Sequence, residues 1–474
     1  MLDFEYDELS FDGKMNWGIP LINANYGIDE ILNSFGEMGY IKYDAQGDYF
    51  FENTSKLEKH FVANEYLTLQ YAAPSFDLPF PAGVVSYKFE NKKIDISTEE
   101  LRFIKAVIAS GEFKFNIYEI SVQGIKDFEV KIESKSIFDK GHKPLVVELS
   151  KDNPAKNIPA AGLIIETDDG KLNFDITISS ADAQSHSNVI FRPQIALSDI
   201  VLKEAEVEVL EELTHPYVTT SSFSVFPKNA TLNAIVHNPK LLFNITNTFG
   251  SIATINISEA YLRASTDTQT IMIENNTKFN VPQNYSGPIV VPNTMKDVPL
   301  LSTYDSLVLK YTVTIPRGNI KIFDTSVLES SIYFNVFFDI TFNEATFTDT
   351  IPFGLSGLSS LSILDTVRMR TAFESSMPLD MYFQILFYSS KTQTVTDSLL
   401  SKPLTIKGSY DGTFVPSNVQ FINITNERIK KLQQADQMIL FISLNTEGKH
   451  KPFNNKNTLK TKLGAQLIIL PKNL

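Results

Sequence analysis

The 474-residue sequence contains no cysteine. That zero excludes disulfide frameworks, thiol nucleophiles, zinc-thiolate sites and iron-sulfur ligation together, so stability has to come from packing. Tryptophan occurs once, at Trp17, against 35 Phe and 18 Tyr. Sugar platforms and polar-tipped hot spots favour Trp and Tyr, whereas Phe has no polar handle and mainly fills cores. Most of these rings are therefore expected to be structural. No run approaches the roughly 18 apolar residues that cross a bilayer as a helix. Basic residues are outnumbered, 42 Lys plus Arg against 55 Asp plus Glu, giving a net charge of -13. A phosphate backbone would gain no counterion release here, so nucleic acid is not an expected partner. The opening Met1-Leu2-Asp3-Phe4-Glu5 is acidic where a secretion signal would be basic and then apolar. The sequence reads as a cytosolic protein or as a mature, processed chain.

Signatures of catalysis are also missing. Six histidines stand singly at positions 60, 142, 186, 215, 237 and 450, with no HExxH or HxH spacing, so a metal site would need convergence from distant segments. His215-Pro216 and His237-Asn238-Pro239 read as turn formers. Gly354-Leu355-Ser356-Gly357 falls one residue short of the GxSxG elbow and follows no α/β context. No GxGxxG, no phosphate-binding P-loop and no regular βαβ alternation occur. Asp44-Ala45-Gln46-Gly47-Asp48 superficially resembles a calcium loop but lacks the spacing and closing Glu of an EF-hand. Carboxylate pairs for glycoside hydrolysis exist in any acidic chain and select nothing here. No catalytic, cofactor-binding or metal-binding residue is expected, no cofactor is implied, and the chain reads as a non-enzyme.

What the chain does contain is strand text. Hydrophobic residues make up 43% and charged residues 20%, which suits a folded rather than a disordered chain. Stretches such as Glu112 to Tyr118, Phe128 to Ile132 and Glu204 to Val209 alternate apolar and polar residues with period two, as strands with one wet face do. Hairpins are expected around 44–48, at Asp169-Gly170 between 162–165 and 172–176, and at Tyr410-Asp411-Gly412. Pro282, Pro288, Pro292 and Pro299 argue against long strands between them. Helical spacing appears twice: Ile28, Ile31, Leu32 and Phe35 share one face, and Ile429 and Leu432 form a stripe that Thr425 or Asn426 can cap. The Lys- and Asn-rich stretch 449–462 reads as a solvated loop before a closing strand at 465–470. The expected fold is all-β, with tandem antiparallel β-sandwich-like domains, one short N-terminal helix and one short C-terminal helix. Expected divisions are an N-terminal helix and hairpin region at 1–60 and β domains at 61–217, 218–350 and 351–474, the last carrying the short helix.

Three stretches carry a resemblance. Trp17-Gly18-Ile19-Pro20-Leu21-Ile22-Asn23 is followed by Ile28 to Phe35 and by Gly39-Tyr40-Ile41-Lys42-Tyr43-Asp44. Asn238-Pro239-Lys240-Leu241 runs on to Asn247-Thr248-Phe249-Gly250. Ile429 is followed by Leu432 and by Ala435 to Leu440. These resemble the mature regions of uncharacterised Bacteroidota cell-envelope lipoproteins, with patterns such as "N-P-x-L-x-x-x-x-x-N-x-F-G". The matches run from end to end but cover about a fifth of the chain, and none is chemically specific. The resemblance implies a β-rich, exported protein of the outer membrane, on the cell-surface or periplasmic side. Its anchor would be a lipidated cysteine upstream of this sequence, since the sequence itself has none. The function it implies is a non-enzymatic interaction or accessory subunit of an envelope protein complex. Two alternatives are a carrier that holds a lipid or other amphiphile in an apolar β cradle and a glycan-binding or glycan-cleaving surface protein.

Overall fold

The computed structural model describes residues 15–27, 41–71, 75–120, 125, 127–186, 189–223, 230–264, 270–292, 294–301, 303–353, 364–417 and 419–469. Within them the chain is all-β. Antiparallel strands form five sheets of five, eleven, four, seven and six strands. The α-helix among the described residues is α1, Asn426–Leu432.

Period-two alternation is what makes these strands. In Lys240–Asn247, residues Leu241, Phe243, Ile245 and Asn247 turn inward while the residues between them stay partly or fully exposed. Burying that row against another sheet is the main gain, since each large side chain removed from water contributes about 1.5 to 3 kcal/mol. The longest pair, Leu101–Ile120 with Val189–Val209, crosses the eleven-stranded sheet with several register shifts. Near Asp199, where φ is +52°, burial switches from odd positions (Ile195, Leu197) to even ones (Ile200, Leu202). An extra residue in one strand does this, because a one-residue slip reverses the faces. Past a second shift, Ala205, Val207 and Val209 point inward, and Glu204 and Glu208 meet Lys321 and Arg102 on the wet face. The expected strand at 204–209 is formed.

A contiguous cluster of buried apolar residues runs from Tyr49 to Leu459. Phe61, Phe103, Phe113, Phe115, Phe174 and Phe191 are among its fully buried members, so the Phe-rich composition is spent on packing. Strand pairs span the positions expected as divisions. Tyr49–Thr54 pairs with Val327–Phe337, Val189–Val209 with Gly318–Phe323, and Ile340–Pro352 with Gln437–Asn445.

Several expectations meet the structure differently. The helix expected over 28–35 and the Gly354-Ser356 segment lie outside the described residues. The 44–48 hairpin forms, pairing Ile41–Tyr43 with Tyr49–Thr54. At Asp169-Gly170 both residues have positive φ, +51° and +72°, as a type I′ turn requires, yet the flanking strands part after the Asp168–Lys171 bridge. Ile164–Glu166 pairs with Leu101–Ile120, Lys171–Ser179 pairs with Ser86–Asp95, and both also pair with Glu129–Phe138. Tyr410-Asp411-Gly412 likewise turns the chain between two sheets rather than closing a hairpin. Leu404–Ile406 joins the seven-stranded sheet and Val415–Pro416 the five-stranded one. His215-Pro216 sits inside the strand Leu213–Ser222. That strand is the outer member of its sheet, where proline's missing N–H costs no ladder bond. The closing strand is longer than expected, Thr458–Ile469, and the loop before it buries Phe453.

The C-terminal section of the chain builds a sheet edge beside a helix. In the five-stranded sheet, Met15–Gly27 pairs with Thr458–Ile469, which pairs with Leu364–Ser375, which in turn pairs with Gln420–Thr425. Helix α1 follows directly. Thr425 occupies its N-cap position with extended backbone but makes no side-chain cap bond, and Ile429 and Leu432 are buried. Leu432 joins Phe387 and Ala435 in a small separate cluster. This packing fixes the face of α1 from which Arg428 projects.

Candidate functional site

Chemistry-bearing side chains gather at several places among the described residues. The first surrounds His60, on the strand Glu58–Val62. The ring is buried against Tyr217 and Tyr311, at 4.5 and 5.8 Å between centroids. Its Nε2 lies 2.8 Å from the Ser330 hydroxyl, while its Nδ1 has no partner among the described residues. Burial lowers the imidazole pKa to about 4, with Glu58 opposing and His215 assisting. Glu58 accepts hydrogen bonds from the Tyr311 and Thr219 hydroxyls, and burial first, then that carboxylate, push the Tyr311 phenol upward. A serine beside a histidine can start acyl transfer only if a third group orients the ring and substrate can reach it. Here Nδ1 meets no orienting group among the described residues, and Ser330 is 1% exposed. The cluster ties the Glu58–Val62, Leu213–Ser222, Ser306–Ile315 and Val327–Phe337 strands together.

The second place joins two histidines 213 positions apart. The rings of His237 and His450 stack at 4.0 Å. His237 Nδ1 is 2.7 Å from Asp297 and its Nε2 2.8 Å from the Thr341 hydroxyl, while His450 Nδ1 is 2.8 Å from Asp339. Each ring thus addresses its own carboxylate, and the nitrogens do not converge on one point. No group of three or more His, Asp or Glu among the described residues could hold a metal ion. The turn reading of His237-Asn238-Pro239 holds for Asn238, whose φ is +50°; His237 itself ends the strand Ala230–His237. In the 44–48 turn, Asp44 accepts the N–H groups of Gln46 and Asp48, and Asp48 accepts from the Asn454 amide. These carboxylates hold the turn.

The third place is a groove of about 540 Å³ between residues 399–405, which lead into and begin Leu404–Ile406, and residues 420–423 of the strand Gln420–Thr425. Arg428 spans it from α1. Its Nε donates to Asp397 at 2.8 Å, Nη1 to the Asn423 carbonyl at 2.9 Å, and Nη2 to the Ser398 and Leu399 carbonyls, the latter at 3.3 Å. One guanidinium therefore braces both walls. Phe421 is 53% exposed at the mouth, with the Arg368 guanidinium 4.6 Å from its ring centroid. The sequence does not reveal Lys402, Phe421 and Arg428 as neighbours. The available signal was the strand text Gln420 to Thr425, which has no charge and no proline, but its edge position depends on pairings the sequence does not display.

In the 238–250 stretch, the residues that carry the resemblance make structure. Asn238 turns the chain, and Asn247 is fully buried, its amide donating to the Ser251 and Pro282 carbonyls at 2.8 and 3.0 Å. Its Oδ1 accepts the Phe249 N–H at 3.1 Å. Phe249 packs on Phe61 and Tyr66, both at 5.7 Å between centroids. Gly250 has φ +77°, and a Cβ there would lie 2.0 Å from the Lys321 carbonyl oxygen. This corner locks the end of Lys240–Asn247 against its neighbours.

No family model matches the sequence, and no curated protein matches it. Among solved structures, the chain is similar to a Parabacteroides distasonis protein provisionally classed as secreted, at 8% identity over 96% of this chain and 99% of that one, with a TM-score of 0.31. A Eubacterium rectale protein given the same provisional class matches at 10% identity over 54% and 74%, with a TM-score of 0.13. The Gx strain of infectious bursal disease virus matches at 8% identity over 95% and 87%, also with a TM-score of 0.13. At these scores the functional reading rests on the chain's own geometry.

Proposed function

We propose that this protein is a non-enzymatic lipoprotein of the outer membrane that serves as an interaction or accessory subunit of an envelope protein complex. The observation that carries the interaction reading is the braced groove beside an open sheet edge, with the exposed Phe421 at its mouth. Exposed aromatic side chains beside preorganised polar groups suit docking to another protein. The reading of location comes from the resemblance. No helix among the described residues is long and apolar enough to cross a membrane, and a lipidated cysteine upstream of Leu2 would supply attachment. The carrier alternative needs an empty apolar cradle, whereas the buried Phe side chains fill the core.

The test is gentle extraction of the native protein from cell envelopes, followed by cross-linking and mass spectrometry. A reproducible envelope-protein partner, and a lipid-modified N-terminal peptide, are expected. A protein recovered alone from the soluble cytosolic fraction would sink both halves of the reading.

A further inference from the structure

Edge strands expose a row of unpaired N–H and C=O groups, and proteins blunt them with lysine, proline, bulges or short length. Among the described residues the edge strands follow that rule with one exception. Ser86–Asp95 carries Lys88, Lys92 and Lys93. Tyr285–Val290 and Asp297–Leu301 carry Pro288 and Pro299. Met15–Gly27 carries Pro20 and a register shift, Gly318–Phe323 carries Lys321, and Thr394–Ser398 pairs across a shift. Leu404–Ile406 is three residues long. Gln420–Thr425 has none of these devices. It spans six residues with no charge and no proline, its ladder with Leu364–Ser375 is unbroken, and no further strand among the described residues pairs with it.

This edge borders the groove, and of its carbonyls that of Asn423 already accepts from Arg428 Nη1 at 2.9 Å. Among the twelve described residues that line that groove there is no Asp or Glu, while Lys402 is present, in a chain whose net charge is -13. Asp397 and Arg428 offset each other as an ion pair. Arg368 and Arg370, both exposed, lie opposite Asn423 and Phe421 in the ladder and so share their outward face. Neither arginine has a carboxylate within ion-pair distance among the described residues. Ile422, of the opposite parity, is buried.

We infer that the Gln420–Thr425 edge accepts an extended, acidic segment of a partner protein as an added strand, held in the groove by main-chain hydrogen bonds. The inference rests on the interaction-subunit reading and names the partner's chemistry. A strand edge presents alternating donors and acceptors at a two-residue repeat, and a polypeptide backbone matches both. The guest's outward side chains would share the face of Arg368, Arg370 and Phe421, which selects carboxylates. Its inward side chains would extend the row of Ile422, which selects apolar residues. Arg428 fixes the two walls relative to each other beforehand, which lowers the ordering cost of docking.

The probe is a fluorescent octapeptide of alternating Val and Glu, titrated into the full chain and followed by anisotropy. Controls are the Val-Lys analogue, the Val-Glu peptide N-methylated at alternate amides, polygalacturonate and phosphatidylglycerol vesicles. The Val-Glu peptide should bind and should slow amide exchange across 420–425. The Val-Lys and N-methylated peptides should not bind. The double variant Arg368→Glu, Arg370→Glu, whose side chains are on the surface, should weaken binding about tenfold or more with unchanged melting. Equal binding of the N-methylated peptide, or equally tight binding of polygalacturonate or vesicles, would replace the strand acceptor with a general polyanion surface. No binding of the Val-Glu peptide by the wild type would overturn the inference outright. Envelope partners that co-purify equally with wild type and double variant would leave the interaction reading standing while this groove assignment fell.

Discussion

Protonating His60 requires placing a charge where the fold offers the ring one hydroxyl partner and two phenol rings. Burial holds its pKa at about 4, against about 6.5 for an unfolded histidine. Between those values the unfolded chain binds a proton that the folded chain refuses, so stability falls as pH falls. The contribution is complete above pH 6.5, declines on acidification and is gone below pH 4. At 1.36 kcal/mol per pH unit, the loss amounts to about 3 kcal/mol. His60→Gln keeps a polar group near Ser330 without a titrating ring, so the wild-type-minus-variant stability difference isolates this one residue. Urea unfolding at steps from pH 7 to pH 4 should show that difference shrinking by about 3 kcal/mol. A chain of five sheets need not unfold in one step, so amide exchange in Glu58–Val62 and Val327–Phe337 supplies the local readout. Parallel pH profiles for the two proteins would mean that the ring is hydrated in solution, and the reasoning would fail.

Asp175 shows the same linkage from a carboxylate. Burial pushes its pKa up, but hydrogen bonds from Lys88, Lys135 and the Asn91 N–H prevail and hold it at about 2. Asp175→Asn should cost about 2 kcal/mol at neutral pH, a penalty present above about pH 4 that disappears as pH falls toward 2; exchange rates in Lys171–Ser179 measure it. Gly250→Ala should destabilise by about 3 kcal/mol, because a left-handed φ and a Cβ against the Lys321 carbonyl act together. Asn247→Ala should lose a similar amount, about 3 kcal/mol, by leaving buried carbonyls without their donor, with calorimetric melting as the check for both. Chelator should leave melting unchanged, and a marked drop would reveal a metal held by residues not brought together among those described.

Strand identity was legible in the sequence because it is a local property. Alternation at 204–209 and 240–247 says which residues turn inward, whatever the strand later pairs with. The same holds for Ile429 and Leu432 on α1 and for the left-handed turn at Asp169-Gly170. The absence of cysteine and the excess of phenylalanine likewise announced a fold held by packing alone. Which strands meet was not legible, because turn chemistry specifies a reversal of direction and not a partner. The chain reverses at Asp169-Gly170 and near Asp411-Gly412, yet in the first case the two arms flank a third strand, Glu129–Phe138, and in the second they join different sheets. The stacking of His237 on His450, the burial of His60 and the open edge of Gln420–Thr425 all arise from contacts between segments many residues apart. Loop closure over such distances costs entropy that only the assembled core repays. The sequence by itself thus determined that this is a cysteine-free β protein with an acidic surface and no local catalytic signature. Tertiary structure alone decided where that surface turns cationic and which strand edge it leaves open.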